Sequence, residues 1–155
     1  RGIELVILGS GESQYENFFS ELCARHPGRV GTYIGFEPAL SQEIYAGADV
    51  FIMPSKSEPC GLAQMVACRY GTPPIVRETG LRDSIHDCTL GEGNGFTFAG
   101  YSAHELYDAC CRAQDRYYNK EDWHNLVKHD MECDFSWDLS AKSYEGLYNE
   151  TANLW

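Results

Sequence analysis

Five short apolar runs, at residues 4–8, 30–34, 50–53, 74–76 and 95–98, are each bounded by glycine or proline. Runs of that length with those boundaries read as buried strands. Helical periodicity fills the gaps between them. In 13–25, Tyr15, Phe18, Phe19 and Leu22 share one face, and Ser13-x-x-Glu16 reads as a capping box. Residues 40–46 form a short helix candidate. In 61–70 the apolar face is Leu62, Met65, Val66 and Tyr70, and in 102–118 it is Ala103, Leu106, Cys110, Ala113 and Tyr117. Strand–helix alternation sustained from 4 to 118 predicts an α/β fold, a parallel sheet with helices on both faces. A C-terminal helical segment follows, over 121–131 and 137–149, with an apolar stripe of Trp137, Ala141, Tyr144 and Tyr148. Trp123, Trp137 and Trp155 read as packing anchors.

At 155 residues, 43 % of them apolar, the chain reads as a single globular domain over 1–155. The formal net charge of −11 argues against a nucleic-acid footprint and against an acidic membrane surface. Seven cysteines with no Cys-x-x-Cys fit neither a disulfide framework nor a zinc site, so a reducing compartment is expected. No apolar run is long enough to span a bilayer, and no signal peptide is visible. Arg1 leads almost at once into a strand, so the chain reads as a fragment of something longer.

Asp49-Val50-Phe51-Ile52-Met53 runs straight into Pro54-Ser55-Lys56-Ser57-Glu58-Pro59-Cys60-Gly61-Leu62. A carboxylate, Glu58, therefore sits where a strand hands over to a helix, the place at which open α/β sheets bind ligands. Pro59 restricts its backbone, and the helix that opens at Cys60-Gly61-Leu62 offers N–H groups to an anion. On residue types alone Glu58 is equally a solvated loop carboxylate or a functional group. Arg77-Glu78-Thr79-Gly80-Leu81 is similarly balanced. Gly80 can turn backbone N–H groups toward a phosphate, or Thr79 can simply cap a turn. Phe36, past the end of the second strand, can stack on a base or pack at a rim. The five histidines show no ligand spacing and read as surface residues. Gly9-Ser10-Gly11 lacks the third glycine of a dinucleotide fingerprint, the position being Gln14, so nicotinamide and flavin are disfavoured.

Several segments together carry a resemblance. They are Tyr45-Ala46-Gly47-Ala48-Asp49, Pro54-Ser55, Glu58-Pro59-Cys60-Gly61-Leu62, Gln64, and Tyr70-Gly71-Thr72. Further on, Arg77-x-Thr79-Gly80-Leu81-x-Asp83, Gly95-Phe96-x-Phe98 and Asp134-Phe135-Ser136-Trp137 continue it. Over nearly its whole length the chain resembles the bacterial glycogen synthase and plant starch synthase family. That resemblance implies half of a two-domain GT-B glycosyltransferase: the C-terminal, Rossmann-like, nucleotide-sugar-binding domain, with the N-terminal acceptor domain absent. It implies a retaining transfer of glucose from ADP-glucose to the non-reducing end of an α-1,4-glucan, with no cofactor and no metal.

By the same resemblance Glu58 is the catalytic-site glutamate. Cys60, Gly61 and Leu62 meet glucose and phosphate, Thr79, Gly80 and Leu81 hold the diphosphate, and Phe36 lies against adenine. The cytoplasm is the implied location, with a plastid as the alternative. A non-catalytic nucleotide or glucan binding module of the same fold is the alternative function. The chain departs from the family pattern in two places. A single glycine follows Thr79 where two are usual, and the segment from Cys88 to Gly95 is short.

Overall fold

The computed structural model describes residues 2–89 and 91–152. The chain divides into two compact units, Arg1–Gly47 and Ala48–Trp155. The strands and helices expected from the sequence are present, with bounds moved by a few residues, but the strands over 5–9, 30–34 and 51–53 hold no buried residue.

The first unit is a β-α-β unit extended by a second helix. Strands β1 (Leu5–Gly9) and β2 (Val30–Ile34) pair in parallel, Leu5 opposite Val30 and Gly9 opposite Ile34. Helix α1 (Ser13–Arg25) connects them, and α2 (Pro38–Gly47) follows. The ladder runs one step past β2, because the Gly35 N–H donates to the Gly9 carbonyl at 2.9 Å. Thr32 Oγ1 donates back to the Phe19 carbonyl at 3.2 Å and ties β2 to α1. The expected capping box is only half present. Glu12, not Ser13, precedes the helix, and Glu16 accepts from the Gly11 N–H at 2.8 Å. A carboxylate there satisfies a donor at the helix entry and complements the helix dipole.

The second unit carries three parallel strands in the order β3 (Phe51–Met53), β4 (Pro74–Arg77), β5 (Phe96–Phe98). Helix α3 (Ala63–Tyr70) joins β3 to β4. A 3-10 turn, Gly80–Asp83, follows β4, and helices α4 (Ala103–Tyr118), α5 (Lys120–Glu132) and α6 (Trp137–Ala152) follow β5. Side chains alternate across a strand, so Ile75 and Val76 of the central β4 point to opposite faces. Ile75, with Phe96 and Phe98, packs on Ala109 and Ala113 of α4 and on Trp123 and Leu126 of α5. Val76 packs on Cys68 of α3 and on Leu81 and Ile85 beyond the turn. Helices thus cover both faces of this sheet, as the alternation predicts.

Two packing expectations change. The inward residues of α3 are Gln64, Ala67 and Cys68, while Leu62 lies 72 % exposed. The expected stripe runs through the large apolar residues, whereas Ala67 and Cys68 with Gln64 line the contact. Trp123 is buried as an anchor, whereas Trp137 is 85 % exposed at the start of α6, a helix with no buried residue. Trp155 lies outside the described residues. The five histidines are all exposed.

Asp130 on α5 is buried at 1 % exposure, and neither carboxylate oxygen has a hydrogen-bond partner among the described residues. Burial raises its carboxyl from 3.8 to about 8, against a smaller opposing pull from Arg116. The acid is therefore held neutral near neutral pH, because a charge there would be stripped of water without compensation. Its folded pKa lies above the unfolded one, so stability is greatest while the group is protonated in both states. Stability declines as pH climbs from 3.8 through about 8. Asp130→Asn should raise the thermal midpoint more at about pH 8.5 than at about pH 5, the difference being about 4 °C or more. Equal shifts at both pH values would show that Asp130 is not a neutral buried acid.

Candidate functional site

β3 and β4 deliver their following loops to the same edge of the second unit, since the strands are parallel and adjacent. The first loop carries Glu58 and the second carries Thr79, Gly80 and Leu81. One hydrogen bond joins them: the Gly80 N–H donates to the Glu58 carbonyl at 2.9 Å. The approach leaves no room for a side chain. A Cβ on Gly80 would stand 1.8 Å from the Pro59 carbonyl oxygen and 2.4 Å from its carbon. Gly61 is required for a second reason. Its φ of +68° is left-handed, and a Cβ there would meet Gln64 Oε1 at 2.5 Å and Leu81 Cδ2 at 2.7 Å.

The Glu58 loop is held at further points. Arg77, the last residue of β4, donates from Nη1 to the Lys56 carbonyl at 2.8 Å and from Nε to the Ala99 carbonyl at 3.1 Å. Its guanidinium lies 5.7 Å from the Tyr101 ring centroid, within cation–π range. Gln64 Nε2 donates to the carbonyls of Cys60 and Gly61 at 2.9 and 3.1 Å. The loop backbone is thus tied at 56, 58, 60 and 61, and the Glu58 side chain is left half-buried at its surface.

The segment after the 3-10 turn is braced as firmly. Asn94 is buried, accepts from the His86 N–H at 2.8 Å and donates to the Ser84 carbonyl at 2.8 Å. Asp87 accepts from the Thr97 N–H at 2.7 Å and pairs with Arg112 at 2.8 Å. Burial pushes the Asp87 carboxyl up, but hydrogen bonds from Thr89, Thr97 and Arg112 outweigh it and hold the group at about 2. Asp87 is accordingly ionised across the neutral range, and the brace weakens only as pH falls toward that value.

The structure brings Glu58, Cys60, Gly61, Thr79, Gly80 and Leu81 together, with Leu62 adjacent at the entry to α3. The helix itself opens at Ala63 rather than at Gly61, because the left-handed Gly61 cannot belong to it. Leu62 occupies the cap position and gives α3 no side-chain cap, so first-turn N–H groups keep their donor capacity. Leu81 is fully buried, backbone included, and lies beneath the surface of the loop. Thr79 precedes the 3-10 turn without capping it by its side chain. Its Oγ1 donates to the Arg77 carbonyl at 3.4 Å instead. Phe36 belongs to the first unit, just past the carboxyl end of β2, and is 88 % exposed.

Among the described residues no group of His, Cys, Asp and Glu side chains could hold a metal ion, and no helix is long and apolar enough to cross a membrane. A cavity of about 590 Å³ lies elsewhere, lined by Cys88, Phe96, Arg112 and Arg116 among others. Both arginines in it are already committed, Arg112 to Asp87 and Arg116 to Asp122.

Residues 1–116 match the family described as glycosyl transferases group 1. The chain belongs to that family. Two relatives locate this group 1 glycosyl transferase chain more closely. A glycogen synthase of Bacillus cereus (strain B4264) is 48 % identical over 149 residues, covering 94 % of this chain and 31 % of the relative. A glycogen synthase of Desulforudis audaxviator is 49 % identical over 152 residues, covering 96 % of this chain and 30 % of the relative. The chain thus spans about a third of the length of these curated relatives. The catalytic domain of starch synthase IV from Arabidopsis thaliana, solved with ADP and acarbose, superposes with a TM-score of 0.80. It is 31 % identical, over 99 % of this chain and 39 % of that one. A sucrose-phosphate synthase from Thermosynechococcus elongatus shares the fold at a TM-score of 0.65 and 20 % identity.

Arg77, Ser84 and Asn94 have no functional role in a reading of motifs alone. Asn94 is buried and Arg77 and Ser84 are half-buried, which periodicity does not separate from exposed polar residues. Gly80→Ala is expected to lower the unfolding free energy by about 1–3 kcal/mol or more, the range for overpacking a closed contact, and so to lower the urea midpoint. A urea titration that leaves the midpoint unmoved would show that the two loops are not in register as described.

Proposed function

We propose that this chain is the C-terminal, donor-binding domain of a retaining glucosyltransferase that moves glucose from ADP-glucose to the non-reducing end of an α-1,4-glucan. The observation that carries this reading is the junction of the Glu58 loop with the Gly80 turn at the carboxyl ends of β3 and β4. The similarity to glycogen synthases and to a starch synthase solved with ADP and acarbose supports it.

The chemistry follows from the placement. Breaking the bond between glucose and diphosphate builds positive charge on the anomeric carbon and negative charge on the departing phosphate. Glu58 supplies a fixed carboxylate for the first. Uncapped N–H groups at the start of α3, through Cys60, Gly61 and Leu62, supply donors for the second. The loop carrying Thr79, Gly80 and Leu81 divides its donors. The Gly80 N–H is held by the Glu58 carbonyl and Leu81 is fully buried, so the single-glycine loop meets a diphosphate mainly through Thr79. Phe36 supplies a ring for the adenine.

The acceptor glucan and the remaining phosphate contacts fall to an N-terminal domain that this chain does not include. The exposed stripe of α6, with Trp137, Tyr144 and Tyr148, is the surface we assign to that domain. The bacterial relatives favour a cytoplasmic setting.

In the full-length protein, Glu58→Ala should lower kcat for ADP-glucose by about 10²-fold or more while ADP affinity stays within about threefold. Undiminished turnover in that variant would remove Glu58 from the chemistry. ADP binding with no turnover in the unsubstituted full-length protein would favour a binding module instead. Phe36→Ala should weaken ADP binding by about tenfold, the worth of one base–aromatic stack, as read by calorimetry. Unchanged affinity would exclude the stacking role.

A further inference from the structure

Gln64 is fully buried on the inward face of α3, where it shares the contact with Ala67 and Cys68. Its Nε2 has three acceptors within reach: the Cys60 carbonyl at 2.9 Å, the Gly61 carbonyl at 3.1 Å and Ser84 Oγ at 3.1 Å. Ser84 Oγ in turn donates to the Leu81 carbonyl at 3.2 Å. The direction of every bond is set by this chain. Ser84 has one proton and gives it to Leu81, so it must accept from Gln64. Two carbonyls face the same amide nitrogen, so the amide cannot be turned over without setting oxygen against oxygen.

The arrangement has a cost. Gln64 Oε1 is buried with no hydrogen-bond partner among the described residues, and a buried acceptor left unpaired destabilises a fold by about 1–3 kcal/mol. A Leu or Met would fill the site without that penalty, so packing alone does not account for a glutamine.

We propose that Gln64 is a positioning residue for transfer at Glu58: its amide, with Ser84, locks the Glu58–Leu62 loop to the Gly80–Asp83 turn. The spacing between the Glu58 carboxylate and the donors of the second loop is then set by this bridge. The inference rests on the donor-site reading above. It adds a residue that touches no ligand and acts through the two loops that would. Misplacement of a reacting group by about 1 Å can lower a rate by about 10²-fold, so small slack at this bridge is sufficient to matter.

The test uses Gln64→Glu, Gln64→Leu and Ser84→Ala in the full-length protein, with kcat and KM for ADP-glucose followed across pH at saturating glucan. Gln64→Leu should lower kcat by about 10²-fold with a much smaller change in KM. Gln64→Glu keeps the shape but replaces the donor by a carboxylate facing two carbonyls. Burial raises such a carboxyl, and once protonated it donates again. Its kcat relative to the parent should therefore be low at about pH 8 and recover as pH falls toward about 5.5. A residue needed only for packing gives a ratio that does not move with pH, and that result overturns the proposal.

If Gln64→Leu does not fold, Ser84→Ala carries the test. A kcat loss of about tenfold at unchanged KM supports the bridge, and an unchanged kcat overturns it. If the unsubstituted protein does not turn over ADP-glucose, the donor-site reading has failed. The bridge is then judged by hydrogen exchange in the full-length chain. Faster exchange at the Gly80 amide in Ser84→Ala supports the lock, and unchanged exchange there overturns it.

Discussion

Strand β4 satisfies two layers at once, and most of the second unit depends on that. Four residues, Pro74 to Arg77, carry it. Ile75 faces the α4–α5 layer and Val76 the α3 layer, so a shift of one residue would exchange the two cores. Pro74 lacks an N–H, which is tolerated at the first position of a strand. The strand's last residue, Arg77, then reaches sideways to the Lys56 and Ala99 carbonyls. The residue that ends the strand thus also begins the organisation of the loops beyond it.

What those loops have in common is that backbone, rather than side chain, is held. The carbonyls of Lys56, Glu58, Cys60 and Gly61 all accept hydrogen bonds from outside their own segment or from the helix that follows it. Fixing a backbone by its carbonyls leaves side chains and N–H groups free to face a ligand. It also removes conformational freedom before binding, so less of the binding energy is lost to ordering the loop. The Asn94 and Asp87 contacts extend the same treatment to residues 84–97.

The sequence was most legible where spacing and chemistry agree. Short apolar runs between glycine and proline became the five strands, and the placement of Glu58 between β3 and α3 follows from that alone. Helix faces were less legible. Periodicity identifies which residues share a face but not which face turns inward, so α3 buries Gln64, Ala67 and Cys68 in place of the larger residues. The contact between Gly80 and Pro59 could not be read at all, because it joins residues far apart in the chain at a distance that only the folded backbone sets. The capping at Glu16 shows a third limit. Glu16 does accept from the helix entry, but the donor, Gly11, lies two residues before the expected partner Ser13.

The uneven exposure of the tryptophans has an optical consequence. Trp123 is sealed against Tyr117, their ring centroids 5.2 Å apart, while Trp137 stands almost fully in water. An indole in water emits at longer wavelength than one in an apolar core, and soluble quenchers reach it easily. Trp137 therefore serves as an intrinsic fluorophore at the start of α6, one whose emission shifts to the blue and loses its sensitivity to iodide when another surface covers that helix.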